Sequence, residues 1–73
     1  MKAKLQKVNG SNDYDSIIGS IGELSINDSN VVSFDVGTEK KILTPVELSK
    51  YHQHESFVIF KNKSDVAFVF RKI

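Results

Sequence analysis

The sequence lacks cysteine and tryptophan, has a single proline and contains no long apolar run. Without cysteine the chain cannot form a disulfide, a thiolate metal site or a cysteine nucleophile. No apolar stretch approaches the roughly 18 residues of a membrane-spanning helix, and no hydrophobic signal region follows the N-terminal lysines. At 73 residues the chain is long enough for one small core. We therefore expect a single cytoplasmic domain over residues 1–73.

Basic residues are missing from the middle of the chain. Residues 1–10 carry a charge of +3, residues 11–39 carry −6 with no lysine or arginine, and residues 40–73 carry +4. Such segregation concerns partners more than fold. The plainer alternative is that oppositely charged strands lie side by side and neutralise one another.

Patterns typical of catalysis are also absent. No serine has the surroundings of an activated nucleophile, and Asp13 and Asp15 lie among turn-forming residues. Gly19 and Gly22 do not have the spacing of a phosphate-binding loop. We expect a protein that is not an enzyme, with no catalytic residue and no cofactor.

His52 and His54 are the only histidines in the sequence. On an extended segment their side chains would share a face, where two imidazoles can chelate a divalent metal. Zinc sites in proteins need three or four protein ligands, and the sequence has no other histidine or cysteine to supply them. We predict a histidine-rich helix end and no metal site.

Four segments before residue 44 have the composition of short strands. They are bounded by turn-forming residues or by the glycines Gly19 and Gly22, where a bend is expected. These segments cover residues 3–8, 17–26, 31–36 and 40–43. The first is predicted at a sheet edge, because its lysines would discourage further pairing.

A helix is predicted over residues 45–53. Thr44, Pro45 and Glu47 combine three helix-start signals, namely an N-cap, a proline in the first turn and a capping box. This helix would precede a closing hairpin.

The closing hairpin, residues 57–73, reads FVIFKNKSDVAFVFRKI and is apolar on both faces. If Lys61 pairs with Val66, one face carries the phenylalanine-rich set, which we expect in the core because aromatic rings bury the most area. That set consists of Phe57, Ile59, Val66, Phe68 and Phe70.

The overall pattern predicts a mainly β, small α+β domain. We expect a five- to six-stranded antiparallel barrel or half-barrel, SH3-like or OB-like in architecture, with one short helix before the C-terminal hairpin. Such an architecture carries no function by itself.

The second hairpin face is the predicted partner interface, unless the helix covers it. It consists of Val58, Phe60, Val69, Arg71 and Ile73. We expect a small non-enzymatic binding protein that acts as a regulator, inhibitor or adaptor. Its partner would be another protein or a second copy in a homodimer. Abundant lysine, isoleucine, asparagine and serine is typical of small bacterial and bacteriophage proteins.

The alternative function is binding of single-stranded nucleic acid by a small β-barrel. The aromatic alternation of residues 65–72 is similar to that of sheets whose rings stack on unpaired bases, but the flanking glycines are missing and Asp65 stands where a basic residue opens that motif. No family is assigned on this pattern. Basic side chains near both termini would contact the phosphates. They are Lys2, Lys4, Lys7, Lys61, Lys63, Arg71 and Lys72.

Overall fold

The computed structural model of the protein describes residues 1–29, 31–37, 40–44 and 50–73, with backbone alone for 40–44, 50 and 51. Seven antiparallel strands form one sheet, which curls into a half-barrel. They are β1 (Lys2–Asn9), β2 (Ile21–Ile26), β3 (Val32–Asp35), β4 (Lys40–Thr44), β5 (Lys50–Gln53), β6 (Phe57–Lys61) and β7 (Ala67–Lys72). Their order across the sheet is β4-β3-β2-β1-β7-β6-β5. The predicted mainly β half-barrel is confirmed, with more strands than expected.

Strand β1 lies at the centre of the sheet, so its predicted edge position is wrong. It pairs with β2 through Lys2–Lys4 and with β7 along nearly its whole length. Its buried side chains explain the position, because Ala3 and Leu5 are fully buried. Lys2 and Lys4, two of the lysines that suggested an edge, alternate with these two residues and point to the opposite face.

A bulge in β1 keeps its apolar residues on one face. Leu5 pairs with Phe70, whereas Lys7 pairs with Val69 and Val8 with Phe68, so Gln6 is the extra residue. One inserted residue reverses the alternation that follows it. Val8 therefore packs against the core and Lys7 is exposed.

The core fills the concave face of the sheet. Phe34, Phe60, Phe68 and Phe70 are each at most 1% exposed. Their rings form an edge-to-face pair between Phe34 and Phe70 at 4.9 Å and a stacked pair between Phe60 and Phe68, also at 4.9 Å. Such aromatic pairs contribute about 0.5–1.5 kcal/mol each beyond the area they bury.

The segment between β1 and β2 packs over one end of the core. It contains a 3-10 helix, Asp15–Ile17, whose Ile17 is buried, and Tyr14 stands edge-on to Phe68 at 5.0 Å. Gly19 has a φ of 91° and donates a hydrogen bond to the Leu5 carbonyl, so the bend expected here is present. A β-carbon at Gly22 would overlap the Asp35 carbonyl oxygen, so glycine permits the close approach of β2 to the end of β3.

The helix predicted over residues 45–53 is wrong for its second half. Residues 50–53 form β5, which pairs antiparallel with β6, while residues 45–49 lie outside the described part of the chain. Pairing with β6 provides hydrogen-bond partners for the backbone groups of β5 that face it, and tertiary pairing commonly overrides a weak local helix preference. Within the described ranges, no helix has the length and apolar character needed to cross a bilayer.

The register predicted for the closing hairpin is wrong by one residue. Lys61 pairs with Ala67, not with Val66. Asn62 accepts hydrogen bonds through Oδ1 from the amides of Ser64 and Val66, and Asp65 adopts a φ of 68°. This turn leaves five residues between the last paired positions, whereas the prediction allowed four. A shift of one residue exchanges the faces of one strand relative to the other.

Candidate functional site

The observed register places one apolar set inside the half-barrel and a second outside. Val58, Phe60, Phe68 and Phe70 point inward and are buried. The side chains between them point outward and meet those of β1. We call this outward-facing set the basic-apolar face, and it consists of Lys4, Lys7, Phe57, Ile59, Val69 and Arg71.

The basic-apolar face is built from two cross-strand rows. In one row Ile59 lies opposite Val69, which lies opposite Lys7. In the other, Phe57 lies opposite Arg71, which lies opposite Lys4. Directly opposite residues have β-carbons about 4.5–5.5 Å apart. The two rows begin at Phe57 and Ile59, which are two residues apart on β6 and point to the same side. The apolar side chains are therefore adjacent, and the basic ones flank them.

The apolar side chains of this face are open to solvent. Phe57 is 40% exposed and Ile59 is 36% exposed, whereas Val69 is half-buried. Ile21, opposite Lys4 on β2, is 50% exposed and extends the surface. Exposed apolar side chains are common singly, but adjacent ones rimmed by charge are typical of interaction sites.

The basic residues of the face have no acidic neighbour on it. Lys4 and Arg71 lie directly opposite each other, and like charges in that arrangement are destabilising. In the part of the chain that the structure describes, no carboxylate lies within ion-pair distance of Lys4, Lys7 or Arg71. By contrast, Lys61 forms an ion pair with Asp65 at 3.1 Å. The three basic side chains are therefore available to an anionic partner.

Acidic side chains lie on the neighbouring part of the outer surface. Glu23 on β2 is opposite Asp35 on β3 and opposite Lys2 on β1. Glu23 also forms an ion pair with the N-terminal ammonium of Met1 at 2.6 Å, so opposite charges meet between β1 and β2 but not where β1 meets β7. These two carboxylates thus lie on β2 and β3, away from the junction of β1 with β7.

The predicted partner interface is wrong for two of its five residues. Val58 is fully buried and Phe60 is 1% exposed, because the hairpin register turns them toward the core. Val69, Arg71 and Ile73 do lie outside the core, and Ile73 is 61% exposed. Phe57 and Ile59, which the prediction had assigned to the core, are the exposed residues.

The basic residues predicted to contact nucleic acid do not form one cluster. Lys4, Lys7 and Arg71 come together on the basic-apolar face. Lys63 is in the exposed turn between β6 and β7, and Lys72 lies opposite Ala3 on the inward side of the strand. Lys2 faces Glu23, and Lys61 is held by Asp65. Lys4, Lys7 and Arg71 therefore border the exposed apolar groups without a carboxylate partner, whereas Lys61, on the same side of β6 as Ile59, is paired with Asp65.

The two histidines lie next to this face without making a metal site. His52 on β5 is opposite Ile59, and its ring stacks on that of His54 with centroids 6.2 Å apart. Both side chains are exposed. Over the described ranges, no group of three histidine or acidic side chains is placed to hold a metal ion. The pair adds two polar aromatic rings to the edge of the surface.

An open depression of about 340 Å³ lies elsewhere, near the start of β1 and the end of β2. Its lining residues are Met1, Leu24, Ser25 and Ile26. Specific small-molecule sites combine an apolar wall with a few convergent polar groups. Ser25 is the only polar side chain in this lining, so the depression has little to orient a ligand.

Comparison with known proteins leaves the function to be inferred from these surfaces. No protein-family model, no curated protein and no solved structure matches the chain.

Proposed function

We propose that this chain is a non-enzymatic binding module that docks on another protein through its basic-apolar face. It would act in the cytoplasm as a regulator, inhibitor or adaptor. The observation that carries the proposal is the exposure of Phe57 and Ile59 on the outer side of a sheet whose concave side holds the described core. Covering them on binding would remove apolar surface from water, the main driving force of protein association.

The composition of the face supports protein binding. Interface centres are enriched in aromatic residues and arginine, with charged residues toward the rim. Phe57 and Arg71 lie opposite each other, next to the aliphatic pair of Ile59 and Val69. The two lysines lie at the β1 side of this group. This arrangement resembles a small interface with one charged border.

Matched substitutions on two sides of the molecule test the proposal. The parent chain should capture a partner from host extract, and Ile59→Thr should abolish this capture. Once the partner is identified and purified, it should bind the parent chain and fail to bind Ile59→Thr. Ile18→Thr is the control, because Ile18 is 39% exposed, close to the 36% of Ile59, but lies outside the basic-apolar face. Equal loss with both variants, or with neither, would contradict a role for this face.

Single-stranded nucleic acid is the second candidate ligand, and one observation favours it. Phe57 presents an exposed ring next to Arg71, which lies beside Lys4. Rings stack on bases while cations contact phosphates. Titration with a twelve-nucleotide thymidine strand should then give binding that weakens steeply with salt. No binding at low salt would remove this candidate.

A further inference from the structure

We infer that the partner presents an apolar polypeptide segment flanked by aspartate or glutamate residues, and that the basic-apolar face recognises this combination. The inference rests on the proposed function and adds the chemistry of the partner. It follows from the charge pattern of the face, from the kind of apolar side chains at its centre and from the symmetry that a second copy would impose.

The charge pattern indicates an anionic partner. Lys4 and Arg71 are directly opposite each other, and no described carboxylate pairs with either of them. In the unbound protein these two positive charges repel each other, and a partner carboxylate placed between the two side chains would relieve the repulsion. Lys7 adds a third cation beside the aliphatic pair. The complementary surface therefore has negative charge along the border nearest β1.

The centre of the face indicates polypeptide in preference to nucleic acid. Ile59 and Val69 form its middle, and neither side chain has a π face on which a base could stack. Phe57 is two residues from Ile59 on the same strand, so their side chains are about 6.6–6.8 Å apart. Leucine, valine or isoleucine side chains of a partner segment would fill this surface well.

Symmetry argues against a second copy as the occupant. A two-fold dimer centred on the face packs it against its own copy, so that residue i of one chain contacts residue j of the other and residue j contacts residue i. Lys4, Lys7 and Arg71 would then meet a surface that carries the same three cations and none of the described carboxylates. Such a dimer leaves these cations without a counter-charge, which an acidic partner would supply.

An NMR titration of the isotope-labelled full chain tests the inference. The probes are a twelve-residue peptide in which Asp and Glu alternate with Leu and Val, the same peptide with Ser in place of each acid, and a twelve-nucleotide thymidine strand. The acidic peptide should bind saturably, about tenfold more tightly than the serine peptide. Its largest shifts should fall on amides of β6, β7 and β1.

Charge reversal supplies the matched control. Arg71→Glu and Lys7→Glu should each weaken the acidic peptide by about tenfold, while Lys63→Glu, the same charge change in the exposed turn, leaves the affinity within about twofold. Equal binding of the serine peptide, or shifts confined to β2 and β3, would overturn the inference. Tighter binding of the thymidine strand would assign the face to nucleic acid.

Two further outcomes separate this inference from the proposed function. Spectra of the free protein that change with its own concentration, with shifts on this face, would make a second copy the occupant. If Ile59→Thr abolishes capture of the partner but the charge reversals do not, the proposed function stands and the acidic partner is excluded.

Discussion

Two valines in the closing hairpin lie on opposite faces of the sheet, so substitutions at them test which face is buried. Val58 on β6 is fully buried, whereas Val69 on β7 is half-buried on the outer surface. Threonine has nearly the shape of valine but carries a hydroxyl. Burying that hydroxyl without a hydrogen-bond partner destabilises the folded state. We expect Val58→Thr to lower the free energy of unfolding by about 1–3 kcal/mol. The same change at Val69 should alter it by less than about 0.5 kcal/mol.

Urea denaturation of the two variants measures this difference. The predicted register, which placed Val58 on the partner side, expects no large loss at Val58. A loss at Val69 that equals or exceeds the loss at Val58 would contradict the pairing of Lys61 with Ala67.

Two asparagines make the same turn in different surroundings. Asn62 accepts bonds from the amides of Ser64 and Val66, and Asn27 accepts bonds from Ser29 and Val31. Asn62 is 6% exposed, whereas Asn27 is exposed. Water can replace the Asn27 side chain but has little access at Asn62.

Asn62→Ala should therefore be the more destabilising of the two substitutions. We expect it to lower the free energy of unfolding by about 1–3 kcal/mol, because a buried amide loses its acceptor. Asn27→Ala should lower it by about 1 kcal/mol or less, the usual net value of an exposed hydrogen bond. Thermal or urea unfolding compares them directly, and equal effects would argue against burial as the deciding factor.

These turns also contain a sequence signal that would have corrected the hairpin register. Residues 27–31 read NDSNV and residues 62–66 read NKSDV. In both, the asparagine amide donates to the carbonyl of the valine four residues later. Val32 pairs with Ile26 across the first turn, so the likeness predicts that Ala67 pairs with Lys61 across the second. Counting a four-residue turn missed this likeness and reversed the relative faces of the two strands.

At the scale of elements, the contact between β1 and β7 combines stabilising apolar packing in the core with like-charge repulsion on the outer face. Leu5 and Phe70 are buried neighbours on the inner face, while Lys4 and Arg71 are opposed on the outer face. Natural proteins often retain unfavourable groups where function needs them. The face is consistent with such a trade-off.

Arg71→Glu should raise stability while weakening binding of the acidic peptide. The new carboxylate would lie opposite Lys4, which replaces repulsion with attraction across the strands. Cross-strand charge pairs contribute about 0.2–1 kcal/mol, so we expect an increase of that order in the free energy of unfolding. Urea denaturation at low salt measures it, and the increase should shrink as salt is added.

Arg71→Gln is the control for this change. It removes the repulsion without adding attraction, so its stability should lie between those of the parent and Arg71→Glu. A parent that is more stable than both variants would show that the opposition of Lys4 and Arg71 does not destabilise the sheet.

Most strands could be predicted from sequence, but one element could not. Alternation located β3, where Val32 and Phe34 are buried as expected. The helix-start signals at Thr44, Pro45 and Glu47 were extended through residue 53, although residues 50–53 pair with β6. Local signals identify where a helix can begin. They do not show that a neighbouring strand competes for the same backbone.

At the scale of the whole molecule, the order of strands was beyond the sequence pattern. Segregated charge located the basic ends of the chain, but only the topology brings β1 beside β7. The basic-apolar face arises from that contact together with the bulge at Gln6 and the hairpin register. A local pattern cannot specify pairing between residues about seventy positions apart. The residue types of the candidate site were therefore predictable, whereas two of the five residues predicted at the interface, Val58 and Phe60, are buried.

Amide hydrogen exchange tests the strand order across the whole molecule. Strands β1 and β7 lie at the centre of the sheet and carry fully buried side chains, whereas β4 and β5 are its outermost described strands. Amides in central strands exchange only through large-scale unfolding, and those at edges exchange through local opening. We expect protection in β1 and β7 to approach the free energy of global unfolding, with markedly faster exchange in β4 and β5. If β1 exchanged as fast as those two strands, its central position would be wrong, and the juxtaposition of Lys4 with Arg71 that underlies the basic-apolar face would be lost with it.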